Sequence, residues 1–137
     1  MIHFVGAGPG AVDLITVRGQ KLLETADQII YAGSLVNPQL LACAKKDCRI
    51  LDSAGMTLEA VIAAMEEGEG QGWMTVRLHT GDPSVYGAIR EQMDILSQKG
   101  LAYDVVPGVS SFCAAAASLQ AEYTLPGISQ SVIITRM

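Results

Sequence analysis

The feature that most constrains this chain is an alternation of short apolar runs with helix-patterned stretches, each run closing on a glycine, a proline or a polar turn. Ile2–Val5, Gln28–Tyr31, Arg49–Asp52, Thr75–His79 and Ala102–Val106 read as strands. Between them, Gly19, Leu22, Leu23 and Ala26 recur at helical spacing, and Asn37-Pro38 forms a helix start. Leu58, Val61, Ile62 and Met65 form a clean amphipathic face behind a Thr57 cap, with Glu66–Gly72 read as a polar loop that ends it. A further helix carries Ile89, Met93 and Leu96 and stops near Gly100, and Ser110 or Ser111 caps one through Ala114–Ala117.

Strands separated by helices pair in parallel, because parallel neighbours need a crossover long enough to hold a helix. The expected fold is therefore α/β, an about five-stranded, mostly parallel sheet with helices on both faces. That domain occupies residues 1–130. Residues 131–137 read as the start of a linker or, through Ser131–Thr135, as one more strand leading toward a second domain.

Composition narrows the function. The 137 residues are 50% hydrophobic and 17% charged, a folded composition. The net charge is −5 and the nine basic residues are scattered, which argues against nucleic acid as a partner. No apolar run approaches the roughly 18–20 residues of a membrane span. Met1–Val5 lacks the basic start of a secretory signal. Cys43, Cys48 and Cys113 form no C-x-x-C pair and read as reduced thiols of a cytoplasmic protein. The two histidines are far apart and no ligand spacing recurs, so no metal site is expected.

Three loops carry the candidate chemistry. Ligands of open parallel sheets bind beyond the carboxyl ends of the strands, where Gly6–Gly10, Gly81–Tyr86 and Pro107–Ser111 should all lie. Gly6-Ala7-Gly8-Pro9-Gly10 resembles a dinucleotide fingerprint, but Ala11 stands where the last glycine belongs. The second strand also ends in Tyr31-Ala32-Gly33, without the ribose-binding acid. Pro9 moreover removes a backbone N–H. A rigid loop on the floor of a cleft fits better. In Thr80–Gly87, glycine admits close backbone approach and Asp82 offers a carboxylate either to a ligand or to the next helix. Pro107–Ser111 is open to the same two readings, an anion or adenine edge at a helix start or ordinary capping. His79 ends its strand beside Gly81, where it can face the cleft, but it reads rather as structural or as support for the site from behind.

The order of the pieces is more specific than any one of them. V-G-A-G-P-G (Val5–Gly10), L-I-T-V-R-G (Leu14–Gly19), A-D-Q-I-I-Y (Ala26–Tyr31), G-D-P-S-V-Y-G (Gly81–Gly87) and P-G-V-S-S (Pro107–Ser111) together resemble the tetrapyrrole (corrin/porphyrin) methylase family. The resemblance covers essentially the whole chain. It implies a two-domain, homodimeric enzyme about twice this length, with S-adenosyl-L-methionine bound between the domains and a tetrapyrrole precorrin as substrate. It assigns Pro9 to a loop touching the cofactor, places Gly81, Asp82, Val85 and Tyr86 along the methionine and ribose region, and brings Ser110 and Ser111 in from the opposite loop.

Tyr31–Val36 and Leu78–Ser84 are similar to the branch that methylates ring carbon C11 of precorrin-4, with or without cobalt. The uroporphyrinogen III branch carries an aspartate where this chain has Ala32, and a lysine where it has Asp52-Ser53. Those departures remove that branch's acid–base pair, and no catalytic base is named here. Methyl transfer from a sulfonium to an electron-rich carbon needs alignment and exclusion of water, not a metal or a covalent nucleophile.

Overall fold

A computed structural model of the protein describes residues 1–136, with Ser34 by its backbone alone. Five strands form one sheet: β1 (Ile2–Gly6), β2 (Gln28–Tyr31), β3 (Arg49–Asp52), β4 (Thr75–His79) and β5 (Tyr103–Val106). Their order across the sheet is β3-β2-β4-β1-β5, and every neighbouring pair is parallel. Four α-helices accompany them: α1 (Val17–Thr25), α2 (Leu58–Gly70), α3 (Ile89–Gln98) and α4 (Ser111–Ser118). No described helix is long and apolar enough to cross a membrane.

Alternation along the strands sorts the core into two layers. Val5, Ile29, Val76, Leu78 and Val106 pack on one face with Leu23 of α1 and Leu40. Ile2, Phe4 and Ile30 pack on the other with Val61, Ile62 and Met65 of α2 and Leu96 of α3. On β4, Arg77 and His79 alternate with Val76 and Leu78, as the period of two requires. Because both faces are covered, all five β4 residues are buried.

The caps follow from the sequence. Thr16 accepts the Gly19 N–H, and Thr57 accepts that of Ala60. Asn37 accepts from the Gln39 N–H, but the stretch it starts, Pro38–Cys43, is a 3-10 helix rather than an α-helix.

One expectation is corrected. Glu66–Gly70 is the last part of α2 and not a loop. Gly68 lies in the helix because a Cβ there would stand 2.8 Å from Thr75 Oγ1 and 3.2 Å from Gln28 Nε2, so its absence lets α2 close onto the sheet. The break comes at Gly72, whose φ of +72° suits glycine. Ser131–Thr135 forms no strand, since no described neighbour pairs with it, and it runs exposed. Met137 lies outside the described residues.

Candidate functional site

The sheet order fixes where a cleft can open. The chain leaves β1 for α1 on one face and leaves β4 for α3 on the opposite face, although β1 and β4 are neighbours. Loops that diverge in this way leave a crevice beyond the strand ends. Here the first turn of each loop also ties the two together. Gly8 N–H donates to Gly81 O at 3.2 Å, and Gly81 N–H donates to Gly8 O at 2.8 Å. Both glycines have positive φ, +78° and +62°, a region open to them because they lack a Cβ.

The loop after β5 joins the same knot. A Cβ on Gly6 would fall 2.6 Å from Gly108 Cα and 2.6 Å from Gly81 O. Three backbones thus pass one another at distances only glycine permits. Asp82 completes the arrangement: Oδ2 accepts the Gly108 N–H at 2.9 Å, and Oδ1 accepts the Ser84 N–H at 2.8 Å and the Ser84 hydroxyl. Partial burial by itself raises the Asp82 carboxyl, but the bonds from Ser84 and Gly108 outweigh it and hold the group below the usual carboxylate range.

Above this knot lies a cavity of about 370 Å³, in the size range of small-molecule sites. Gly81, Asp82, Val85, Tyr86, Ser110 and Ser111 all line it. Pro9 does not, although its neighbour Gly8 anchors Gly81. Ser110 is buried at the start of α4, yet its side chain makes no capping bond, so the first N–H groups of that helix have no side-chain acceptor. Tyr86 is 60% exposed and holds a left-handed backbone, φ +57°, a conformation that costs a non-glycine residue.

The wall also includes residues that the sequence motifs contain without assigning them to the site: Ala32 and Leu35 from the turn after β2, together with Thr80 and Gly87. In an all-parallel sheet the β2 turn reaches the same end as the other loops, and that rule would have found it. His79 lines the cavity as well. The residue is 4% exposed, its ring stacks on Phe4 with centroids 6.1 Å apart, and Nε2 has no partner among the described residues. Burial first, and the Arg77 charge second, push its pKa down to about 3. Among the described residues, no three His, Cys, Asp or Glu side chains gather as metal ligands would.

The sequence profile of the tetrapyrrole (corrin/porphyrin) methylases matches residues 1–137. The chain belongs to that family. A relative from Methanocaldococcus jannaschii named cobalt-precorrin-4 C(11)-methyltransferase is 58% identical over 135 residues, covering 98% of this chain and 52% of the relative. The X-ray structure of a cobalamin biosynthetic enzyme, cobalt precorrin-4 methyltransferase, superimposes with a TM-score of 0.94 at 49% identity, over 96% of this chain and 55% of that one. A uroporphyrin-III C-methyltransferase of Thermus thermophilus, solved with S-adenosylhomocysteine, superimposes with a TM-score of 0.77 at 29% identity, over 95% of this chain and 52% of that one. The chain thus spans about half the length of the family members it matches.

The cavity's own chemistry is compatible with an S-adenosyl ligand. It offers uncapped helix N–H groups, serine hydroxyls, an exposed phenol ring and glycine backbone that a ligand can approach closely.

Proposed function

We propose that the protein is an S-adenosylmethionine-dependent C-methyltransferase of cobalamin biosynthesis, acting on C11 of precorrin-4 or cobalt-precorrin-4. The observation that carries this reading is the convergence of the β4 and β5 loops, tied to the β1 loop through Gly8, on one cavity lined by Gly81, Asp82, Val85, Tyr86, Ser110 and Ser111. The resemblance of the motifs and the relatives' names supply the substrate class.

When bound, S-adenosylmethionine supplies a methyl group made electrophilic by its sulfonium. The residues of this chain bind and orient. Ser110, Ser111 and the open end of α4 offer hydrogen bonds to polar groups of the ligand, and Gly81 lets it approach the backbone. Tyr86 presents its ring at the cavity wall. Asp82 acts through the loops, because Gly108 and Ser84 already use both of its oxygens. Pro9 stiffens the turn next to Gly8. Alignment of donor and acceptor within such a frame is worth several kcal/mol of barrier. No residue is assigned proton transfer.

The reading extends to a homodimeric, cytoplasmic enzyme with no nucleic-acid or membrane partner, in line with the net charge of −5. The test is to incubate the intact protein with S-adenosylmethionine and precorrin-4 or its cobalt form, and to identify the product by mass spectrometry. A product bearing one added methyl group at C11 is expected. Methylation at another ring carbon, or none with either substrate, contradicts the proposal.

A further inference from the structure

We infer that Leu35 is a specificity-determining residue for the tetrapyrrole, an apolar contact at the rim of the cavity on which one face of the macrocycle packs. The inference rests on the function proposed above and adds a residue to which the motif resemblance gives no role.

The residues around the cavity differ in depth. Gly81 and Ser110 are buried and form its floor, whereas Leu35 and Tyr86 are 74% and 60% exposed and stand at its rim. They differ in place as well. Across the order β3-β2-β4-β1-β5, Leu35 follows β2, the Gly81–Tyr86 loop follows β4, and Ser110 and Ser111 follow β5. Three strand spacings, about 14 Å, separate the ends of β2 and β5. The β5 side carries hydrogen-bonding groups, the serine hydroxyls and the first N–H groups of α4 that no side chain caps. The β2 side presents Ala32 and Leu35, whose side chains form no hydrogen bonds.

A single leucine in water is ordinary. Leu35 is set apart by how it is held. Val36, next to it, is buried in the core, and its N–H donates to Gly33 O. Ala32 N–H donates to Leu78 O at 3.0 Å, which ties the start of the turn to β4. Ser53 Oγ donates to Tyr31 O at 2.9 Å, which braces it from the β3 side. The turn is thus fixed on both flanks while Leu35 stays in the open. Tyr86 is likewise held out, by a left-handed backbone. Two large apolar side chains presented at one rim mark a surface for an apolar ligand.

Methyl transfer puts sulfur, methyl and acceptor carbon in one line, so the substrate must lie against the cofactor. A cofactor seated on the hydrogen-bonding floor leaves the rim to the second ligand. A tetrapyrrole fits there, since its macrocycle is a broad apolar face with the carboxylates around the edge. The local charge agrees. Among the lining residues only Asp82 is acidic, and both of its oxygens already accept hydrogen bonds. A chain of net charge −5 therefore keeps its other carboxylates out of this wall, where they would repel an anionic substrate.

The experiment uses two titrations of the intact protein. Precorrin-4, or its cobalt form, is added to protein saturated with S-adenosylhomocysteine, and binding is read from the absorbance of the ring. S-adenosylhomocysteine binding is measured separately by calorimetry. Leu35→Ser should weaken tetrapyrrole binding by about tenfold and leave S-adenosylhomocysteine affinity within about twofold of wild type. Leu35→Met, which restores an apolar side chain of similar volume, should recover most of the loss. The unfolding midpoint of both variants should match wild type, because the exposed side chain supports little of the fold. Unchanged tetrapyrrole affinity in Leu35→Ser overturns the inference while the proposed function stands. An equal loss of S-adenosylhomocysteine affinity puts the cofactor on Leu35 and overturns it too, as does a lowered unfolding midpoint with both ligands lost. A wild-type protein that binds neither form of the tetrapyrrole overturns the inference and the proposed function together.

Discussion

Asp82 Oδ2 accepts the backbone N–H of Gly108 at 2.9 Å, which fastens the loop after β4 to the loop after β5. Sequence reading offered Asp82 to a ligand or to a helix cap. The structure gives it a third task, holding two walls of the cavity together. Asp82→Ala leaves Gly108 N–H and Ser84 N–H without their acceptor. It should lower stability by roughly 1–3 kcal/mol in urea denaturation, and S-adenosylhomocysteine affinity should fall with it. Unchanged stability would show that the clamp is idle.

The glycine knot makes a sharper prediction. A Cβ on Gly6 would collide with Gly108 Cα and Gly81 O, both of them backbone, so no rotamer change relieves it. Gly6→Ala should cost about 1–3 kcal/mol or more by overpacking, and should weaken ligand binding because the loops are wedged apart. Thermal unfolding checks the first part and calorimetry the second. A variant as stable as wild type would contradict the packing described.

Tyr86 separates stability from binding. Its left-handed backbone is unfavourable for tyrosine, while its exposed side chain buries little. Tyr86→Gly should leave stability within about 1 kcal/mol of wild type or raise it, because relief of strain offsets the greater freedom of the unfolded glycine. Ligand affinity should nevertheless fall. A large loss of stability would mean that the ring supports the fold.

His79 sets a pH dependence. Its folded pKa is about 3, below the usual histidine value of 6.5. The unfolded chain therefore binds a proton that the native state refuses. The stability contribution is fully present above about pH 6.5 and is lost as pH falls toward 3, to the extent of a few kcal/mol. Denaturation at pH 7 and pH 4.5 should show a steeper loss in wild type than in His79→Gln. Equal slopes would contradict a buried neutral imidazole. Asp82 acts in a lower window, since its carboxyl is held below the usual carboxylate range.

Much of the fold was legible because its punctuation is local. Gln28–Tyr31, Arg49–Asp52 and Thr75–His79 are short runs bounded by turn residues, and all three strands form as read. What escaped depends on contacts distant in sequence. Gly68 continues α2 because Thr75 and Gln28 lie against it, a fact no helix pattern contains. Asp82 and Gly108 are 26 residues apart, and only the sheet order brings them together. The cavity was legible through motifs that flank strand ends, so six of the seven expected residues share it while Pro9 stands aside. Ala32 and Leu35 lie in the Tyr31–Val36 motif, but only the sheet topology places that turn at the cavity.

The apolar tail bears on behaviour in solution. Leu119, Ile128 and Ile133 are each more than 75% exposed, and α4 buries none of its residues. Residues 1–137 should self-associate, because exposed apolar surface drives association. Sedimentation of that polypeptide as a monomer would contradict this.

The most direct measurement is a crystal structure of the intact protein with S-adenosylhomocysteine. The account predicts ligand density between Gly81–Tyr86 and Ser110–Ser111, with the Gly8–Gly81 and Asp82–Gly108 bonds retained. Density at the opposite end of the sheet, or a ligand that touches neither the Gly81 loop nor the start of α4, would contradict it.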